Sequence, residues 1–437
     1  MARWFDARTP QGAAEFAEFL KEPRGGAASG DINSDVAGIV ANVRERGAEA
    51  VVEYTTRFDR LDIETETLSS PQIDLEALAA KCPDNVRAAI DFAAKRIDFY
   101  HRKQVPEDHS YEDDMGLVMG WRWTAIDAVG LYVPGGRASY PSSVLMNAIP
   151  ARAAGVERLV MVAPAPNGVL NPAVAYAAQV AGVTEYYPIG GAQAVAALAY
   201  GAGPLLPVDK IVGPGNAYVA AAKRLVFGDV GIDTIAGPSE ICVVADRSIR
   251  ADIAAADLLS QAEHDPAAQS ILITADEQFA SQIEDEIARL LEELPTREVA
   301  RQSWDRHGAI VLSDPVQFAF WVNKIAPEHV ELAVEDLEPL LEGIKHAGAV
   351  FVGAWAPEAL GDYVTGSNHV LPTSGAARFA SGLSLIDFMK RTSIQRISAA
   401  GFQNLADAAE RLASAEGLPA HERSISIRRN SRGGGDE

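Results

Sequence analysis

Apolar residues recur at helical spacing through much of the first hundred positions. Residues 13–20 carry a short amphipathic pattern that stops near Pro23. A longer one covers 31–54, where Ile32, Val36, Ile39, Val40, Val43, Ala48 and Val52 share one face of a 3.6-residue period. A third helix is predicted over 75–101 with a break at Cys82-Pro83, because proline lacks an N–H and disfavours helix in the residue before it. GGAASGD (25–31) is a predicted loop.

The period then changes. RLVMVA (158–163) is a short apolar run closed by Pro164, which predicts a buried strand, and 171–181 predicts a helix. The alternation repeats as strand 185–189, helix 193–200, strand 210–212 and helix 217–226. It resumes after Gly237 with strand 240–245, helix 250–264, strand 270–274, helix 278–294, and strands 308–312 and 347–352. Strand–helix units in series predict parallel, doubly wound α/β sheets whose ligand crevices lie at strand ends. Two such sheets are expected. From 383 onward the chain is predicted mostly helical, with a disordered Gly-rich tail at 433–435.

Charge narrows the partners. The 437 residues hold 38 Lys and Arg against 60 Asp and Glu, a net charge of −22, which argues against nucleic acid and anionic membranes. The longest uncharged stretch, 186–208, could span a bilayer by length. Gly190, Gly191, Gly201, Gly203, Pro204 and Pro207 interrupt it, so a buried strand–turn–helix is expected instead. The start, MARWFDARTPQ, lacks the apolar core of a secretory signal, and a cytoplasmic location is expected. Cys82 and Cys242 are the only cysteines. They exclude a disulfide framework and a Cys-rich zinc module.

Several motifs offer chemistry. IVGPGN (211–216) follows a strand and opens a helix, so its amides and the helix dipole suit an anion. Gly213 and Gly215 match a dinucleotide fingerprint, but Tyr218 replaces its last glycine. The turns YVPGG (132–136) and IGGAQ (189–193) have the same form. In LLSQAEHDP, Gln261 and His264 sit three residues apart on a predicted helix, and that donor pair suits zinc. In APEHVEL, Pro327 and Glu328 suit the first turn of a helix, while Glu328 and His329 also form a proton-transfer pair. The polar stretch 361–375 is a predicted long loop carrying Asp362 and His369. Glu416 and His421 lie in a short link near the end. His101, His109, His307 and His346 are expected in solvated or capping roles, and Cys242 inside a buried strand.

Taken together, these strings resemble the histidinol dehydrogenase family. The match runs in order through GLYVPGGRASYPSSVLMNAIPA, IGGAQAVAALAYG, KIVGPGNAYVAAAKR, AGPSEICVVAD, LLSQAEHDP, APEHVEL, GDYVTGSNHVLPTSGAARF and EGLPAH, from Gly130 to His421. The resemblance implies an NAD-dependent, zinc-dependent oxidation of L-histidinol to L-histidine through a bound aldehyde, the last step of histidine biosynthesis. It implies that Gln261, His264, Asp362 and His421 hold one zinc ion per subunit. Glu328 and His329 match the catalytic pair, with His329 also touching substrate. Ser239, His369 and Glu416 match substrate contacts, as do the four zinc ligands. Tyr132, Gln193 and Asn216 match NAD contacts.

The implied fold is a domain-swapped homodimer of two incomplete Rossmann-like domains with small terminal helical arms, in which Glu416 and His421 serve the partner's site. In chain order the implied pieces are an N-terminal arm (1–26), the first part of domain 1 (27–131), domain 2 (132–239), the second part of domain 1 (240–382) and a C-terminal dimerisation arm (383–437). One alternative is a paralogous zinc- and NAD-dependent dehydrogenase acting on another small primary alcohol, such as a sulfonated diol. A zinc hydrolase and a non-catalytic nucleotide-binding protein are the others.

Overall fold

The computed structural model describes residues 1–23, 30–70, 73–135, 140–235 and 237–430. Most of the loop expected at 25–31, residue 136 of the YVPGG turn and the tail at 433–435 lie outside the described residues. The strands are Arg3–Asp6 (β1), His109–Glu112 (β2), Leu117–Ala125 (β3), Ala128–Tyr132 (β4), Arg158–Val162 (β5), Glu185–Tyr187 (β6), Lys210–Val212 (β7), Gly231–Ile232 (β8), Glu240–Ala245 (β9), Gln269–Thr274 (β10), Ala309–Leu312 (β11), His329–Ala333 (β12), Ala349–Val352 (β13) and Met389–Ile397 (β14). Two compact units divide the chain: residues 1–104 with 126–388, and residues 105–125 with 389–437.

The first unit holds two parallel sheets, as the strand–helix alternation requires. The larger runs β1-β11-β10-β9-β12-β13. Strand side chains alternate between faces, so each face carries its own core. Ile241, Val243, Leu272 and Ile310 pack with the helices Ala251–Ala262, Glu277–Glu293 and Arg297–His307 on one side. Cys242, Val244, Ile273 and Val311 pack with Phe16, Phe318 and Trp321 on the other. Coverage on both faces explains why β9 and β10 read as unbroken apolar runs rather than alternating ones.

The smaller sheet runs β6-β5-β4-β7-β8, also all parallel. Its order reverses between β4 and β7, and the order of the larger sheet reverses between β9 and β12. The helices Gly30–Arg46 and Ala48–Asp59 pack on Gly191–Tyr200 beside this sheet, and Leu75–Ala79 and Asp84–Arg102 pack on Pro172–Ala181. Sheet membership thus cuts the chain differently from the five pieces implied by resemblance. The helices Gly30–Arg46, Ala48–Asp59, Leu75–Ala79 and Asp84–Arg102 pack on helices of the smaller sheet, β4 pairs within that sheet from Ala128, and Arg3–Asp6 pairs with β11 in the larger one.

The helix expected over 31–54 is two helices. They part at Gly47, whose φ of 58° breaks the α-ladder.

A buried ion pair anchors the turn that follows β7. Lys223, on the helix Ala217–Val226, donates to Gly213 O at 3.0 Å and pairs with Asp233, whose other oxygen accepts from Gly213 N at 2.7 Å. Gly213 has φ of 114°, and a Cβ there would sit 2.1 Å from Tyr132 O, so the glycine is required by strand packing alone.

The second unit contains the antiparallel sheet β14-β3-β2 and two mutually packed helices, Ala399–Ala415 and Pro419–Asn430. The stretch after 383 is therefore less helical than expected. Met389–Ile397 pairs with β3 along its whole length, and that ladder, rather than an apolar pattern, makes it a strand. Among the described residues, no helix is long and apolar enough to cross a membrane.

Removing Lys223 alone strands a buried carboxylate. Lys223→Met should cost about 3–5 kcal/mol in urea unfolding, and Lys223→Met with Asp233→Leu should cost less than the single change. An additive loss would refute this account of the pair.

Candidate active site

A cleft of about 1690 Å³ opens between the carboxyl ends of the smaller sheet and the amino ends of the larger one. Drug-sized ligand pockets occupy about 300–1,000 Å³, so there is room for two ligands. Tyr132, Gln193, Asn216, Ser239, Gln261, His264, Glu328, His329, Asp362 and His369 all line it. Glu416 and His421 belong to the second unit, where both are exposed.

The smaller sheet presents its switch point. Tyr132 ends β4, and its hydroxyl accepts from Gly191 N at 3.0 Å, at the start of the helix Gly191–Tyr200. Burial pushes this phenol up to about 12, so it stays neutral. Gln193 is buried on the same helix. Asn216 caps the helix Ala217–Val226, with Oδ1 accepting from Tyr218 N at 3.0 Å and Val219 N at 3.2 Å. Two helix N-termini therefore face a crevice at a strand-order reversal, an arrangement that fits the phosphates of a dinucleotide.

The larger sheet presents an acid and an imidazole. Glu328 and His329 do not open a helix. Ala326 takes a left-handed turn with φ of 51°, and the chain enters β12 at His329. Pairing with both β9 and β13 outweighs the helix-start signal of Pro327. Glu328 Oε2 accepts from Glu240 N at 2.9 Å, and Glu240 Oε2 accepts from Glu328 N at 3.3 Å. Glu240 Oε1 accepts from Ser374 N at 2.9 Å.

His329 Nδ1 lies 2.9 Å from Glu240 O, and because a carbonyl only accepts, Nδ1 carries the proton and Nε2 the lone pair. Burial holds this imidazole down at about 4 and lifts Glu328 well above the ordinary carboxylate range. A neutral base and an adjacent protonatable carboxyl thus share one wall.

The donor set at the cleft fits a metal ion. Gln261 lies in the last turn of the helix Ala251–Ala262, and its buried Oε1 has no hydrogen-bond partner. His264 lies just past that helix end, where its backbone N–H donates to Gln261 O at 3.2 Å. Asp362 is on the helix Glu358–Tyr363, inside the stretch expected to be loop, and its backbone O accepts from His369 Nδ1 at 3.0 Å. An oxygen–nitrogen set of this kind suits zinc. The acidic groups behind it are deeply buried. Burial first, and neighbouring carboxyls next, push Glu358 up to about 8 and Glu331 to about 9, while burial pushes Asp362 to about 6.

Two residues of this site escape a reading of the sequence. Glu240 looks like the first residue of an apolar strand. Glu358 follows Pro357 and looks like an ordinary first-turn glutamate, the same signal that misplaced Glu328. One of the bland assignments also fails: His101 is fully buried rather than solvated, with Nδ1 donating to Ile97 O at 2.8 Å.

A nucleotide-type crevice facing a buried acid–imidazole pair marks the chain as an α/β enzyme. A sequence model of the histidinol dehydrogenase family matches residues 22–429. A histidinol dehydrogenase from Caulobacter vibrioides is 57% identical over 419 residues, covering 96% of this chain and 97% of that protein. One from Cereibacter sphaeroides is 53% identical over 429 residues, covering 98% of each. The crystal structure of a histidinol dehydrogenase from Elizabethkingia anophelis has a TM-score of 0.92 at 35% identity, with 98% of both chains covered. The chain belongs to the histidinol dehydrogenase family, a family of oxidoreductases.

Glu240→Gln keeps the size but leaves one acceptor oxygen where two backbone N–H groups need one each. It should lower stability in urea unfolding by about 1–3 kcal/mol. An unchanged midpoint would show that the Glu240 contacts do not hold the site together.

Proposed function

We propose that the chain oxidises L-histidinol to L-histidine, the last step of histidine biosynthesis, using two NAD⁺ and one zinc ion per subunit. The observation that carries this is the Glu328–His329 pair at the amino end of β12, facing the crevice between β4 and β7 across one cleft. When bound, NAD⁺ takes up a hydride in each of two oxidations, and zinc holds the substrate's amino and imidazole nitrogens. Gln261, His264, Asp362 and His421 of the partner subunit would hold the zinc. Tyr132, Gln193 and Asn216 line the NAD side. Ser239, His369 and Glu416 of the partner subunit bind substrate.

A homodimer supplies those last groups. The exposed Ile394, Ile397, Leu412 and Ile427 of the second unit support such a partner. A cytoplasmic location accords with the reaction.

Alcohol plus water becoming carboxylate releases two hydrides and three protons. His329 Nε2 takes the proton from the alcohol O–H, since Nδ1 is held by Glu240 O, the Nε2 lone pair has no hydrogen-bond partner and burial keeps the ring neutral. Glu328 takes a proton from the water that adds to the aldehyde carbon, and the hydrate then gives up the second hydride. No thiol is needed. Cys242 is fully buried within β9, and neither it nor Cys82 lines the cleft.

Histidinol and NAD⁺ should yield NADH, with loss on chelation and recovery on zinc add-back. NADH from a sulfonated diol but not from histidinol would select the paralogue instead. Glu328→Gln should retain the alcohol-to-aldehyde half better than the aldehyde-to-acid half; equal loss of both would count against the assignment. The raised carboxyl must ionise to work as a base. The aldehyde half should therefore fail at higher pH on acidification than the alcohol half, which depends on an imidazole that stays neutral down to about 4. Replacing Cys82 with Ser and Cys242 with Ala should leave turnover within about twofold of the parent, because a thiol with no access to the cleft cannot act as nucleophile. Selective loss of the second hydride step would overturn that.

A further inference from the structure

The wall of the cleft carries a donor set besides the one assigned to zinc above, made of His329 and Asp362, which line the cleft, and Glu358, which is buried behind them. His329 Nε2 carries a lone pair and has no hydrogen-bond partner, although the residue is 3% exposed. Glu358 is 2% exposed, its Oε2 accepts from the Ser260 hydroxyl at 3.2 Å, and its Oε1 meets no N–H or hydroxyl donor, the carboxyl of Asp362 lying beside it. His329 Nε2 lies 3.9 Å from Glu358 Oε1 and 3.8 Å from Asp362 Oδ1. Donor atoms of all three residues fall within 4.8 Å of one another. The two gaps from Nε2 are too wide for hydrogen bonds. They match donors placed about 2.1 Å from a common ion, at angles somewhat wider than tetrahedral.

We propose that His329, Glu358 and Asp362 form a second, inhibitory site for a divalent transition-metal ion. The imidazole nitrogen selects zinc or a similar ion over magnesium or calcium, which prefer oxygen alone. An ion here occupies the lone pair that His329 needs to accept the alcohol proton, so binding stops the first oxidation. Asp362 has two carboxylate oxygens and can bridge this ion and the substrate-positioning one, as carboxylates do in two-metal sites about 3.5–4 Å apart. The inhibition rests on the proposed role of His329 as base, and the count of a second ion rests on the proposed zinc site; the grouping of the three donors rests on neither.

The test uses the purified enzyme loaded with one zinc per subunit and titrated with free zinc. Bound zinc is measured by equilibrium dialysis with metal analysis, and NADH formation from histidinol in parallel. A second equivalent should bind, and the rate should fall with the same midpoint. Glu358→Gln should raise that midpoint about tenfold or more relative to its own uninhibited rate, while retaining the first equivalent. Ser260→Ala, which frees the carboxyl without removing it, should raise it less. A visible spectrum of the second equivalent of Co²⁺ should carry the signature of imidazole ligation even if Glu358→Gln fails to fold.

A single bound equivalent up to millimolar zinc would overturn the proposal, as would equal midpoints in the parent and both variants. If histidinol yields no NADH while two equivalents bind, the proposed function fails and the site stands. If NADH forms and the second equivalent is absent, only the site fails.

Discussion

Glu240 and Glu328 each accept a hydrogen bond from the other's backbone N–H across the junction of β9 and β12. That clasp sits where the strand order of the larger sheet reverses, and much of the site's geometry follows from it. It fixes where Glu328 leaves the turn at Ala326. It also places Glu240 O against His329 Nδ1, which settles the tautomer and leaves Nε2 as the basic nitrogen. Through Ser374 N it ties down the segment that follows His369. Two buried carboxyls this close would repel as anions, and the backbone donors directed at them offset part of that cost.

The two halves of the cleft use opposite ends of parallel sheets. The smaller sheet contributes carboxyl ends, where the following helices Gly191–Tyr200 and Ala217–Val226 begin, and their positive N-termini suit phosphate. The larger sheet contributes amino ends, reached by the helix Ala251–Ala262 as it terminates near Gln261 and His264. The C-terminal end of a helix is its negative pole, and it favours a cation. Anion chemistry and cation chemistry thus fall on the walls whose backbone dipoles already favour them. The usual rule, that ligands gather at carboxyl ends, describes only half of this cleft.

Burial sets the chemistry of the remaining groups. An imidazole out of water stays neutral and a carboxyl out of water tends to keep its proton, so the same desolvation that lowers His329 raises Glu328 and Glu358. The backbone of Glu240 then decides which atom of His329 and of Glu328 is left free, its O taking His329 Nδ1 and its N donating to Glu328 Oε2.

Local signals sufficed for much of this protein. The apolar runs and their punctuation place β5, β7, β9, β10 and the helices between them, since a strand buried on both faces has to be apolar throughout. The motif strings pick out Tyr132, Gln193, Asn216, Ser239, Gln261, His264, Glu328, His329, Asp362 and His369, which all line one cleft. Other features are absent from any local window. Pro-Glu reads as a helix start at both 327–328 and 357–358, yet only the second opens a helix, because β12 is held between two neighbouring strands. Met389–Ile397 has no apolar alternation and is a strand only by its ladder to β3. His101 looks solvated until tertiary packing covers it. The roles of Glu240 and Glu358 depend on partners 88 and 98 residues away, and separations of that length are closed only by the folded chain.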